Sequence, residues 1–425
     1  MNERKSNFPK FMLLWAGEFI SAIGGGLTSF GLGVYVFGQT GSAGSMALVT
    51  LLAFLPTLLL GVPAGVLADR YDRRLLMMLG DGCSALGILY LLLCMTGGGA
   101  ALWQICLGVF VSAAFSALLE PSYRATVTDL LTKEEYSKAS GLVSLAGSAR
   151  YLVSPVLAGA LLAVSDIKLL LAIDICTFFP TVLAAAVVRR SIPGKTAERR
   201  ESFLDSLRQG WQAVTGNRGI LVLIMVSAAL TCFMGTFQIL AQPLILDFAD
   251  SATLGIGETV CACGMLVSSL FLGIRGIRRG YVRKLSLSLL LAGICMVGFG
   301  VWENIYPICL FGFLFFAALP FANNCLDCLV RTNIADELQG RAWGLIGFLS
   351  QIGYAVAYGT AGAAADGIAA GFHMSVGRSA ARVVMAAGAL LGVTAAALYL
   401  PKSVRDLESK CDSAPNGSSA AATGR

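Results

Sequence analysis

Apolar runs with at most one charge each, most of them about twenty residues long, alternate along this chain with short polar turns. Twelve runs stand out, at roughly 11–37, 45–68, 75–96, 100–119, 139–163, 169–188, 219–246, 254–274, 285–301, 305–326, 342–365 and 379–400. A bilayer core of about 30 Å needs about 20 apolar residues for one helical crossing. Most runs are apolar on every side of a helical wheel, whereas a surface helix keeps a polar face. The pattern predicts an all-α membrane protein of twelve transmembrane helices. The segment before the first run, M-N-E-R-K-S-N-F-P-K, leads into a span too long for a signal peptide and without a small-residue cleavage site, so it reads as the start of a retained first helix.

Composition agrees: 56% of residues are hydrophobic and 13% charged, with mean hydropathy +0.75, whereas a soluble domain is about a quarter charged. Segments 1–10, 70–74, 124–138, 189–218, 275–284, 331–341 and the stretch after Pro401 hold all but four of the 31 lysines and arginines. Lys168, Arg378 and Arg382 fall in the alternate segments, and Arg150 lies within a span. This is the positive-inside pattern, and it predicts that both termini are cytoplasmic. The net charge of +6 then reflects topology and implies no nucleic-acid partner. The twelve cysteines are scattered singly through apolar spans, apart from Cys261-x-Cys263 and Cys325-x-x-Cys328. A zinc site is one reading of those pairs; small buried hydrophobes is the better one. No disulfide framework is implied.

The chain looks duplicated. Glu120, Arg124 and Asp129 recur as Asp327, Arg331 and Asp336, shifted by 207; Ala139, Gly141, Tyr151 and Gly159 recur as Ala342, Gly344, Tyr354 and Gly362, shifted by 203. Chance among low-complexity helices explains matched glycines more readily than three charged positions in register. The expected organisation is a six-helix bundle over 1–189, a linker over 190–217, a second six-helix bundle over 218–401 and a disordered cytoplasmic tail over 402–425. In the linker Phe203, Leu207, Trp211 and Val214 recur every three or four residues, which predicts an amphipathic helix lying on the inner membrane surface.

Between the second and third runs the chain reads G-V-L-A-D-R-Y-D-R-R, from Gly65 to Arg74. Asp69, Arg70, Asp72, Arg73 and Arg74 interrupt some fifty apolar residues and must mark a turn at a membrane face. Gly61 and Gly65 form G-x-x-x-G, which lets another helix approach closely. The pattern G-x-x-x-D-R-x-x-R-R resembles the loop between helices 2 and 3 of the major facilitator superfamily. Asp72 stands where that pattern has Gly, a departure common in the branch of macrolide exporters, siderophore exporters and related drug pumps. The resemblance implies that Asp69 and Arg73 form a cytoplasmic latch that bridges to the other half in the outward-facing state. Glu120, four residues before Arg124, is the expected partner of Arg73 or Arg74. Asp327 and Arg331 repeat that pair, but the loop at 275–284 is basic without an acid, so the second latch is expected to be degenerate. The alternative is that these charges only fix topology.

In the fifth run Gly141-x8-Arg150-x3-Ser154-Pro155-x2-Ala158-Gly159 resembles the antiporter motif of proton-coupled drug exporters in that superfamily, with Arg150, Ser154 and Ala158 in place of glycines. A proline kink among small residues suits close packing between the halves. Arg150 lies about 18 Å deep counted from Lys138, where a charge is costly unless paired or hydrated. It is expected to face the central cavity, as counter-ion to an acid or to anionic substrate; a fixed structural pair is the other reading. Glu18, about 12 Å inside the first helix, is the first candidate proton carrier, because desolvation favours the neutral form of a carboxyl group. Asp81 and Asp174 come next. Gly24, Gly25 and Gly26 are expected to break the first helix near its middle, unless close packing explains them.

Gly194-Lys195-Thr196 is similar to part of a nucleotide-binding loop, but Arg189 stands where the first glycine belongs and no strand precedes it. No G-x-S-x-G is present, and the single histidine, His373, falls in an expected outer loop. The reading is therefore no enzyme, no metal and no cofactor, with a proton gradient as the energy source. The family likeness implies a secondary transporter in the bacterial inner membrane, a monomer that exports hydrophobic or amphipathic small molecules of drug, macrolide or siderophore type. Two bundles rock about a cavity lined by helices 1, 4, 5, 7, 8, 10 and 11, with membrane lipid and substrate as partners. Met234, Phe237 and Gln238 are expected on its wall. An uncoupled facilitator or lipid flippase of the same fold, or a non-transporting receptor or scaffold, remain as alternatives.

Overall fold

The computed structural model describes residues 7–132, 135–191, 211, 218–277, 279–334, 336–398 and 407–408. The expected linker helix, the Gly194–Thr196 motif and the expected tail disorder lie outside these residues, apart from Trp211 and the pair at 407–408.

Fourteen α-helices build the spans: α1 (Phe8–Thr40), α2 (Ala43–Arg70), α3 (Arg73–Thr96), α4 (Leu102–Ser116), α5 (Leu119–Leu130), α6 (Tyr136–Leu152), α7 (Ser154–Val164), α8 (Ile167–Ser191), α9 (Arg218–Leu246), α10 (Ser251–Arg275), α11 (Tyr281–Val301), α12 (Ile305–Asn333), α13 (Asp336–Phe372) and α14 (Val376–Leu398). Among the described residues eleven segments are long and apolar enough to cross a membrane, with α4–α5 and α6–α7 each counted as one. The 37-residue α13 adds a further long helix. The protein is thus all-helical among the described residues and multi-pass.

Two spans are broken, and local chemistry explains both. Pro155 sits in the first turn of α7 and has no N–H to continue α6, so the chain breaks at Val153. Pro121 does the same between α4 and α5, and the helix resumes to Leu130, well beyond the expected end near 119. The expected break at Gly24–Gly26 does not occur: α1 runs unbroken from Phe8 to Thr40. Close packing is the reason. A side chain on Gly24 would run into Thr177 and Asp174 of α8, and one on Gly26 into Ser154 of α7.

The first six spans pack together, with α8 against α1 and α3 and α4 against α2 and α3; the last six do the same, with α11 against α12 and α14 and α9 against α13. The bundles meet through α2 with α13 and α10 with α6 and α7. At the second seam Gly159 and Gly255 bring backbones together: a Cβ on Gly159 would meet the Ser251 carbonyl at 2.5 Å, and one on Gly255 would strike Pro155. The α2 end is the exception, since a side chain on Gly61 or Gly65 would meet open space, so that G-x-x-x-G marks no close approach in this structure.

Candidate functional site

Three polar assemblies punctuate the apolar framework. The first lies on the face carrying the 70–74 turn. Arg73 reaches from the start of α3 to the Asp129 carboxylate on α5 (2.9 Å) and to Asp69 at the end of α2 (3.6 Å). It also donates to the carbonyls of Ala68 (3.1 Å) and Ala125 (3.2 Å). All these partners belong to the first bundle. Glu120, expected as the partner of Arg73 or Arg74, instead pairs with Arg124 (2.8 Å), and both side chains are about two-thirds exposed. The physical reason is depth. Asp129 lies nine residues, or about 13 Å, further along the helix toward the face where Arg73 sits. Asp72 caps α3 by accepting the Arg74 N–H (3.1 Å) and also takes Arg189 Nε (2.7 Å). Arg74 is buried and Arg70 exposed. In the second bundle Asp327 and Arg331, both exposed, lie within electrostatic reach of each other. The side chain of Asp336 lies outside the described ones.

The second assembly fills the interior of the first bundle. Asp174 on α8 accepts from Thr28 Oγ1 (2.6 Å) and Thr177 Oγ1 (3.4 Å). Asp81 on α3 is 1% exposed and lies within electrostatic reach of Glu18 and Asp174, with Thr181 beside it. Tyr123 on α5 lies close enough to feel the Glu18 charge. Glu18 Oε2, Asp81 Oδ2, Tyr123 OH, Ser122 Oγ and Thr181 Oγ1 are all buried without a hydrogen-bond partner. Such orphaned atoms are rare in folded proteins and each asks for an explanation. Glu18 thus lies within electrostatic reach of Asp81, Tyr123 and Glu120.

The third assembly lies at the seam between the bundles. Phe54 of α2 packs edge-on to Tyr358 of α13 (5.6 Å between ring centroids) and lies 6.0 Å from Tyr354. The Tyr354 hydroxyl donates to Met234 Sδ (3.0 Å) and Tyr358 to Gln238 Oε1 (3.1 Å), both on α9. From the opposite side Tyr151 lies within electrostatic reach of both tyrosines, and Arg150 of Tyr358 and Asp174. Arg150 and Tyr151 are exposed. Met234 and Gln238 take the expected wall positions, but Phe237 does not. It is 2% exposed and stacks on Phe315 (4.4 Å) in the core of the second bundle, because one residue's rotation carries it to the other side of α9. Ser154 anchors the broken helix by donating to the Ile23 carbonyl (3.0 Å), and Pro155 and Gly159 are buried. Gly141 is exposed, with no neighbour that a side chain would meet.

The opposite face holds a contact that reading the sequence missed. Asp366 near the end of α13 accepts from Ser42 Oγ (2.6 Å) and from the N–H groups of Ala43 and Gly44 (2.9 Å each). One carboxylate from the second bundle thereby caps the start of α2 in the first, where helix donors are orphaned and the dipole favours an anion. The available signal was a lone acid near the end of an otherwise uncharged span. Together with the bond from Thr259 Oγ1 to the Leu152 carbonyl (3.1 Å), these contacts join the bundles between that face and mid-span. On the same face Arg378 donates to Glu303 (2.6 Å), which holds that carboxyl below its ordinary range. A separate cavity of about 500 Å³ opens there, bordered by Tyr35, Gly99, Asp166 and Lys168, and contains none of the expected site residues.

Two bundles meeting along α2–α13 and α10–α7, with the Arg73 turn after the second span, form the background for the comparisons. Residues 14–358 match the Major Facilitator Superfamily. The chain belongs to that superfamily. It is 26% identical over 353 residues to macrolide efflux protein A of Streptococcus pyogenes, covering 81% of this chain and 86% of that protein. It is 25% identical over 362 residues to the multidrug efflux pump Tap of Mycobacterium tuberculosis, covering 82% and 84%. In fold it is similar to a bacterial homologue of the iron transporter ferroportin (TM-score 0.73, 15% identity, 93% of this chain and 100% of that one). A bacterial homologue of the lysosomal transporter Spinster is similar too (TM-score 0.70, 14% identity, 97% and 100%). This major facilitator is a transporter.

Proposed function

We propose that this transporter exports hydrophobic or amphipathic small molecules from a bacterial cell, driven by proton entry, with both termini cytoplasmic and the monomer as the working unit. The observation that carries the reading is a pair of carboxyl groups inside the first bundle, Glu18 and Asp81, each with a buried oxygen and within electrostatic reach of the other. A buried carboxylate without a donor is costly, and a bound proton removes that cost. Alternating exposure of such a group to the two sides of the membrane couples a proton to the movement of substrate. The relatives named for macrolide and multidrug efflux support export as the direction. The Arg73–Asp129 clamp holds the ends of α2, α3 and α5 as one rigid unit, so the first bundle moves as a body. Substrate rests on the wall built from Phe54, Tyr151, Tyr354 and Tyr358.

The test is accumulation of a panel of labelled amphipathic drugs and dyes, anionic and cationic, in inverted membrane vesicles, with and without a protonophore. Wild-type accumulation is expected to collapse with the protonophore, and Glu18→Gln to reduce it at least tenfold. Accumulation that survives both treatments identifies an uncoupled facilitator or flippase instead. A complete lack of substrate-dependent flux for every drug, dye and siderophore tried identifies a non-transporting receptor.

A further inference from the structure

The charges around the inter-bundle space are unevenly distributed. Arg150 is exposed and reaches electrostatically to Asp174 on one side and to Tyr358 of the other bundle on the second. Its guanidinium makes no hydrogen bond or ion pair with a described residue, and no described carboxylate lies within 4.0 Å of it. Two acids of the first bundle are withdrawn and Glu18 is partly so. Asp81 and Asp174 are each 1% exposed, Asp174 is occupied by two threonine hydroxyls, and Glu18 turns its Oε2 into the bundle. In the second bundle Glu258 is taken by Gln242 Nε2 (3.0 Å). The surface offered to a guest is therefore aromatic rings and one guanidinium without a hydrogen-bonded partner, whereas Glu18 and Glu258 are only partly exposed and Glu258 is already bonded. An arginine keeps its charge in proteins and presents a planar fork that fits a carboxylate, sulfonate or phosphate.

We infer that the transported molecule is an organic anion: an aromatic or aliphatic body carrying an acidic group that seats on Arg150, with the body against Phe54, Tyr151, Tyr354 and Tyr358. This rests on the reading of the inter-bundle space as the transport site and narrows the substrate within it. A cationic amphiphile of the same shape meets an unscreened like charge and is disfavoured. Position 150 matches Gly353 in the second half of the repeat, so the guanidinium is not a requirement of that helix fold.

The experiment uses fluorescein and rhodamine 123, which share a xanthene body and carry opposite charge. Binding to the purified full chain is measured by fluorescence anisotropy, and flux in proteoliposomes with an imposed proton gradient. Fluorescein is expected to bind at least tenfold more tightly than rhodamine 123, which is the scale of one charge-assisted hydrogen bond. Arg150→Gln is expected to erase that preference by weakening fluorescein binding and relieving the repulsion of rhodamine 123, and Arg150→Lys to retain most of it, which separates charge recognition from a folding defect. Equal or stronger binding of rhodamine 123 by the wild type overturns the inference, as does an unchanged preference in Arg150→Gln or failure of both dyes to bind. If the binding preference holds but no flux appears, the anion site stands and the export reading fails. If gradient-driven flux ignores charge, export stands and the anion site fails.

Discussion

The turn after the second span and the turn after the eighth occupy equivalent places in the two bundles, and each must satisfy the unbonded N–H groups that open the next helix. The first does so from within. Asp72, inside the turn, accepts the Arg74 N–H and is itself held by Arg189 at the end of α8. The second turn is basic and has no acid of its own, and its acceptor comes from beyond the last helix: Glu408 Oε1 takes the Val282 N–H at the start of α11 (3.3 Å). Next to it Leu407 is 4% exposed and its carbonyl accepts Asn333 Nδ2 at the end of α12 (3.2 Å). The repeat keeps the place where an acceptor is needed and leaves its source free. The polarity is reversed as a result: acid in the turn and base after the sixth span, then base in the turn and acid after the twelfth. The expected degenerate second latch is thus a helix end capped from a distance.

The sharpest way to break this comparison is at Arg73. Arg73→Ala strands Asp129, which is 19% exposed, and removes the tie between α2, α3 and α5; a loss of about 2 kcal/mol in stability and at least a tenfold fall in flux are expected. Asp129→Asn is expected to hurt more than Asp69→Asn, because the Asp69 contact is longer and more exposed; the opposite order in a transport assay overturns the assignment of Asp129. A smaller effect is expected in the second bundle. A chain ending at Pro401 loses the Glu408 cap and the burial of Leu407, together worth about 2 kcal/mol, and Glu408→Ala loses about 1 kcal/mol. Thermal unfolding in detergent measures both, and an unchanged midpoint in the shortened chain removes the second half of the comparison. The smallest effects belong to Asp72→Gly, at a few tenths of a kcal/mol, and Glu120→Gln, at under about 0.5 kcal/mol for an exposed pair. Both are expected to leave flux within twofold of wild type.

The fold was legible because its determinants are local. A run of twenty apolar residues needs no partner to declare a crossing, whereas Pro155 breaks its span while Pro56, Pro63, Pro180, Pro243 and Pro320 lie inside unbroken helices. The site was legible in part. Glu18, Asp81, Asp174 and Arg150 drew attention because a charge among apolar residues is expensive. Their grouping was not readable, since each helix rotates to suit its neighbours. The same rotation hid Phe237 in the core while its neighbours Met234 and Gln238 reached Tyr354 and Tyr358. Gly24 and Gly26 misled because a helix-weakening residue was read along its own helix, whereas α7 and α8 press on it from outside.

By itself the amino-acid order determined the all-helical class and the series of apolar crossings. Each follows from solvation or backbone chemistry acting over a few residues. Tertiary structure alone decided that Arg73 meets Asp129 and not Glu120, that Asp366 caps a helix 324 positions away from it at Ser42, and that Glu408 supplies the acceptor the second turn lacks. A charged side chain finds its partner by distance in the folded bundle, and that distance is set by how far along and around each helix the two residues stand when the helices pack.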